Sequence, residues 1–219
     1  MMDVFEHKKR ERIDLLDYAW SDLRLDGSTL TREGVASILQ GELVQNVSIA
    51  ESSEVRCHEL AMATFTNLLH MQVDMDRAGL QQIAESWSDF FDVSFRKSSP
   101  VLPHLGFTPP HYSDIPKLLD ELFRDVLSAF GERNVASRAA RIHNGLVYIY
   151  PFTEHSEMIA RAAMQYELLH GGLPVVDIGL SEPAYNTLLS ESIRTGDDGP
   201  LTDAITKAVK INRMARSDE

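Results

Sequence analysis

Cysteine is nearly absent. Cys57 stands alone in 219 residues, so no internal disulfide can form and a reducing cytoplasm is the expected setting. The thiol itself reads as a small buried residue. There is no apolar run long enough to cross a bilayer, and the N-terminus is polar and mixed in charge, which argues against a membrane span and a secretory leader. Dense runs of Lys and Arg are also missing. The 21 basic residues are outnumbered by 33 acidic ones, giving a formal charge of −12. An acidic surface repels a phosphate backbone, so no nucleic-acid partner and no membrane partner are expected. The densest positive cluster, His7-Lys8-Lys9-Arg10, is followed at once by Glu11 and Asp14 and reads as a solvated helix face. Repeats, low-complexity tracts and Pro-Gly-Ser linkers are lacking too.

What is present is an ordinary core-forming composition, 43% hydrophobic and 25% charged. The chain reads as one all-α domain over 1–219: N-terminal helices in 1–42, a core in 43–178 and C-terminal helices in 179–219. A first helix is expected from Val4 to about Leu23, stopping near Asp26-Gly27-Ser28. Thr29 or Thr31 caps a second, and a long third occupies much of Leu43 to Met71. Asp74 or Asp76 caps a fourth carrying Leu80, Ile83, Trp87 and Phe90. The character then changes. Pro100, Pro103, Gly106, Pro109 and Pro110 exclude helix, and the short apolar pieces in 93–102 predict a β-hairpin or extended flap. Ile115, Leu118, Leu119, Leu122, Phe123 and Val126 restore a helical stripe that Gly131 ends. Val135, Ala139, Ile142, Leu146 and Ile149 make the next, stopped by Pro151. A helix from His155 or Ser156 carries Ile159, Ala162, Ala163, Tyr166 and Leu169. Two more follow, from Ser181 to Leu189 and from about Leu201 to Met214.

The segment 150–161 reads Tyr150-Pro151-Phe152-Thr153-Glu154-His155-Ser156-Glu157-Met158-Ile159-Ala160-Arg161. It resembles the Fic (Fido) motif H-P-F-x-[D/E]-G-N-G-R-x-x-R, matching at Pro151, Phe152, Glu154 and Arg161. The stretch Ala140 to Ile149 resembles the helix leading into that motif. Phe95-Arg96, Val101 and Leu102 resemble the family's flap. Leu23 to Thr31, with Asp26-Gly27, resembles the segment S-x-I-E-G-N-x-L-T of an N-terminal inhibitory helix. The resemblance implies an all-α helical bundle with a short β-hairpin flap next to the motif loop. If the flap lay far from Tyr150, the chain would instead be an ordinary helical adaptor.

The resemblance also implies a chemistry. Fic proteins mostly transfer AMP from ATP to a protein hydroxyl, with the motif histidine as general base. Tyr150 holds that position, and a phenol with an ordinary pKa of about 10 is a poor base at neutral pH. The family's glycines curl backbone N–H groups around phosphate at a helix N-terminus. Here the stretch is His155-Ser156-Glu157-Met158 and both glycines are gone, so that nest is expected to be strained or lost. Glu157 brings negative charge to the phosphate position, and Met158 removes a cationic donor. Glu154 keeps the position that holds a divalent metal in many members. Arg161 is expected to pair with Asp26, one methylene shorter than the family's glutamate. Ser156 reads as a helix cap, and His143 as a satisfied core histidine. His104 and His111 read as surface loop histidines.

The expected function is that of a degenerate Fic protein, not competent for ordinary AMP transfer, acting as a binding or regulatory protein on another protein. No cofactor is expected, and self-association stays open. The alternative is a divergent transferase using ATP with Mg, in which Tyr150 or His155 takes a new role.

Overall fold

The computed structural model describes residues 4–130 and 134–217. Nine α-helices follow one another among the described residues: α1 Val4–Leu25, α2 Arg32–Leu39, α3 Ile49–His70, α4 Arg77–Glu85, α5 Ile115–Phe130, α6 Val135–Ile149, α7 Ser156–His170, α8 Glu182–Thr195 and α9 Gly199–Ser217. The side chains of His7 to Arg10, and Gly131 as the expected end of α5, lie outside the described residues.

Caps explain most of the boundaries. Thr31, not Thr29, accepts from Gly34 N–H and starts α2. Ser48 and Glu51 form a reciprocal capping box that starts α3, six residues later than Leu43. Asp76 caps α4, which ends at Glu85, so Trp87 and Phe90 sit in the turns that follow. The α8 helix runs on past Leu189 to Gly196, whose φ of +72° ends it.

The centre of the bundle is the pair α6 and α7. The α7 helix is buried on nearly every side: Met158, Ile159, Ala160, Ala162, Ala163, Met164, Tyr166 and Leu168 all belong to the core. A helix that is apolar all round must be enclosed, and α7 is enclosed by α3, α4 and α6. The α5 and α9 helices cover α6, while α1 packs on α2, α3 and α8.

The expected β-hairpin over 93–102 does not form. Among the described residues there are two isolated antiparallel bridges and no strand. Phe95 pairs with Phe152 of the motif loop, and Leu102 pairs with Phe107. The reason is donor supply. Pro100 and Pro103 have no N–H to give to a ladder, and the Arg96 N–H is taken by the Pro151 carbonyl at 3.0 Å. Val101 stands out in solvent. The segment nevertheless lies against the motif loop, with the Phe95 and Phe152 ring centroids 5.7 Å apart.

Arg96 fastens this arrangement. Its guanidinium is buried and donates to four backbone carbonyls: Tyr150 at 2.7 Å, Ile149 at 3.1 Å, Ser98 at 2.9 Å and Pro110 at 2.6 Å. Two of these are the orphan carbonyls at the end of α6. A lysine has one nitrogen and cannot reach all four. Arg96→Lys is therefore expected to lower stability by about 2–3 kcal/mol, the scale of leaving buried acceptors unpaired. Chemical denaturation would show it as a lower midpoint with an unchanged slope.

Candidate functional site

The site is built around Arg161, which projects from the first half of α7 and is 1% exposed. Asp22 grips it in a fork: Nε donates to Oδ1 at 2.6 Å and Nη2 to Oδ2 at 3.3 Å. Nη2 also donates to Asp26, so the contact that the family resemblance implies is present. Asp22 and Asp26 are four residues apart at the end of α1, which puts both on one face. Asp22 was not singled out from sequence, although that spacing was the available signal. Its Oδ2 also meets His58 Nε2 at 2.8 Å, while His58 Nδ1 faces the Glu54 carbonyl at 2.7 Å. Both ring nitrogens of His58 are thus engaged.

Burial alone would push the Asp22 carboxyl up, but the charge of Arg161, with His58 adding, holds it below the usual carboxylate range. Asp26 goes the other way. Desolvation raises it more than Arg161 lowers it, and Asp22 adds to the rise. On the far side, Arg161 Nη1 lies 3.4 Å from the Tyr185 hydroxyl, which is 2.7 Å from His143 Nε2. His143 is fully buried, and burial lowers its imidazole to about 4, so it stays neutral over ordinary pH. Its place is that of a satisfied core histidine.

The motif loop runs beside this cluster. Tyr150 ends α6 at φ +49° and His155 precedes α7 at φ +56°. The left-handed turn that a glycine would adopt freely is thus kept at His155, at a cost of about 1–2 kcal/mol for an L side chain. The backbone strain expected from the replaced glycine is therefore present at His155. Ser156 is not a cap. Its Oγ accepts from the Phe152 N–H at 2.8 Å and donates to the Phe152 carbonyl at 3.1 Å, pinning the loop to the start of α7. The N–H groups of Thr153 and Glu154 go to the carbonyls of Ser94 and Asp92. Glu154 Oε2 accepts from Asp92 N–H at 2.6 Å, so that carboxylate is already tied to the flap. No group of three or more His, Cys, Asp or Glu placed to hold a metal occurs among the described residues.

The first turn of α7 carries Glu157 and Met158. Glu157 Oε1 lies 2.8 Å from His104 Nε2 and 3.4 Å from the Tyr150 hydroxyl. His104 is thus more than a surface loop histidine: it reaches across 53 residues to the motif. Met158 turns inward, its sulfur accepting from Trp87 Nε1 at 3.2 Å. His155 leans edge-on against Phe91, ring centroids 4.1 Å apart, and its Nε2 is 4.0 Å from Glu54. Burial, then Asp26, raises the Glu54 carboxyl to about 7. Of the predicted site residues, Pro151 to Met158, Phe95 and Arg96 converge on this loop, and Arg161 with Asp26 lies behind it. Val101 and Leu102 point elsewhere, and Gly27 forms the φ +81° turn after α1.

Comparison with known proteins gives a consistent picture. Residues 74–168 match the model of the Fic/DOC family. A Fic family protein from Desulfovibrio desulfuricans has a similar structure, with a TM-score of 0.72 and 17% identity over 98% of this chain and 70% of that one. Fic-1 from C. elegans gives 0.74 and 20% identity over 92% of this chain, which spans 64% of the solved C. elegans chain. A Fic domain containing signaling protein from Bacteroides thetaiotaomicron gives 0.64 and 17% over 94% and 89% of the two chains. At these identities the likeness is one of fold. No curated protein matches the chain in sequence.

Glu54 makes the charge balance of this site testable. Its folded pKa of about 7 lies above the ordinary 4.5. A raised acid stabilises the fold below its unfolded pKa and loses that contribution as pH rises through the folded value. Glu54→Gln mimics the neutral form. The variant should be more stable than the parent at pH 8, by about 3 kcal/mol at most, and no more stable at pH 4. Equal melting temperatures at pH 8 would contradict this.

Proposed function

With residues 74–168 in the Fic/DOC family and the whole chain in its fold, we propose a member that has given up AMP transfer and acts by binding or regulating another protein. The observation that carries this reading is the position of Glu157. In the resembling motif, phosphate is cradled at the start of the helix that α7 represents. Here that turn holds a carboxylate, anchored by His104 at 2.8 Å and near the Tyr150 hydroxyl at 3.4 Å. A carboxylate suits the positive end of a helix dipole, and it repels the anion that an AMP donor must place there.

The neighbouring residues support the same reading. Burial, then the charge of Glu157, pushes the Tyr150 phenol above its ordinary value, so it is a still weaker base than a free tyrosine. Met158 is turned into the core under Trp87. Arg161 is buried and gripped by Asp22 as well as Asp26. Loss of a positioned base typically costs about 10²–10⁴-fold in rate. Loss of the electrostatic cradle costs a further factor on the order of 10²–10³. The residues present therefore do not fit a nucleotide triphosphate with its metal.

A second reading has one observation behind it. The contact of Arg161 with Asp26 preserves the arrangement of an inhibited family member, so a divergent transferase held off by its own N-terminal segment is the alternative. One experiment separates the two. The parent chain and Asp26→Ala are titrated calorimetrically with ATP and Mg²⁺. The binding-protein reading expects no heat and no thermal shift in either, because Asp22 still holds Arg161. Saturable binding in Asp26→Ala alone would establish the regulated alternative, and binding in the parent would overturn the proposal outright.

A further inference from the structure

The chain that leaves α1 meets Arg161 as a short strap. Asp26 follows the last helical residue, Gly27 turns the backbone at φ +81°, and Leu30 is tied back to the helix by the Trp20 indole, which donates to its carbonyl at 3.2 Å. The two carboxylates at this end hold the guanidinium unequally. Asp22 has 4% of its side chain exposed and grips Nε and Nη2 as a fork. The Asp26 side chain is 33% exposed and takes a single contact from Nη2. It also stands at the carbonyl end of α1, where a negative charge is disfavoured. Of the two, Asp26 is the one that a modest repulsion removes.

Glu54 of α3 is placed to supply it. Its backbone carbonyl faces His58 Nδ1 at 2.7 Å, in the ring whose Nε2 meets Asp22. Its carboxyl lies 4.0 Å from His155 Nε2, with 21% of the side chain exposed. One residue thus stands between the clamp on Arg161 and the motif loop. The charged and titratable groups facing that carboxyl are Asp22 and Asp26 from α1, Glu51 and His58 on α3 itself, and His155 from the loop. Acids outnumber bases in this set, and Arg161 is already paired with both aspartates. Burial lowers the His155 imidazole, so it brings little positive charge to offset Glu54. Burial first and Asp26 second raise the Glu54 carboxyl to about 7. The Glu54 and Asp26 carboxylates resist being charged together.

We propose that Glu54 is a proton-operated latch on this strap: while it carries a proton Asp26 stays on Arg161, and when it ionises Asp26 swings off and leaves Asp22 as the clamp. The sign follows from proton linkage. The closed strap holds the Glu54 proton more tightly than the open one. Its extra stability is complete below the open-state pKa and is lost as pH rises through the closed value, near 7. Opening therefore increases by at most about tenfold per pH unit and levels off once Glu54 is ionised. The latch sets the state of the site and is independent of the molecule that the site receives.

The test follows hydrogen exchange at two protons of the strap in the intact chain. One is the Ser28 amide, which donates to the Leu23 carbonyl at 3.1 Å, and the other is the Trp20 indole N–H. The amides of Ala163 and Leu168, in the core of α7, serve as references. The parent is compared with Glu54→Gln, which fixes the neutral form, at pH 4 and pH 8, each rate corrected for its intrinsic pH dependence. The strap protons should exchange faster than the α7 amides, so that they report local opening. Their rates should match in the two proteins at pH 4 and be about tenfold higher in the parent at pH 8. In Asp26→Asn the Glu54 carboxyl carbon should titrate at lower pH than in the parent, a shift that a merely structural Glu54 would not show. Equal strap exchange in parent and Glu54→Gln at pH 8, strap exchange no faster than that of α7, or an unmoved Glu54 titration in Asp26→Asn overturns the proposal.

Discussion

A guanidinium that cannot reach water sets the terms for this molecule. Arg161 lies inside the bundle with 1% of its surface exposed, and an unpaired charge there costs several kcal/mol. The fold meets that demand with two carboxylates from the end of α1, a histidine of α3 behind them and a tyrosine of α8 in front. The chain of polar contacts continues through His143 and Asn144 to Asp198, just before α9. Helices far apart in sequence are therefore held in one register by hydrogen-bond geometry as well as by apolar contact. Hydrophobic packing tolerates sliding; a forked Arg–Asp pair does not.

The helices were legible from the sequence because their signals are local. The stripes of α5, α6 and α7 and the Pro151 stop need only residues a few positions apart. The motif positions that depend on chain order were legible too, since Pro151, Phe152 and the flap fall together as expected. What was missed depends on distance. Asp22 and Arg161 are 139 residues apart, and His104 and Glu157 are 53 apart. No window of sequence contains such a pair. The predicted hairpin failed for a related reason. Its residues have strand character, but their partners proved to be the carbonyls and amides of 150–154 rather than one another.

The shape of the motif loop is held by contacts that surround it. Both ends of the loop sit in left-handed conformations without glycine, at Tyr150 and His155. Such strain persists only where the surroundings over-determine it. Arg96 holds the carbonyls of Ile149 and Tyr150, Ser156 clasps both ends of the Phe152 peptide unit, and the backbone of 92–96 pairs with 151–154. Each of these contacts serves the shape of the loop. Pro151 and Phe152 keep their places for the same reason: one stops α6, the other fills the core.

The clasp on Arg161 has a consequence for how the molecule comes apart. The end of α1 is the terminal turn of a long helix, the kind of segment that ordinarily frays first. Here fraying would strip Asp22 and Asp26 from a cation that has nowhere to go. Opening of the last turn of α1 therefore carries the cost of unpairing a buried charge. The ion pair thus couples the end of α1 to α7 across 139 residues of sequence.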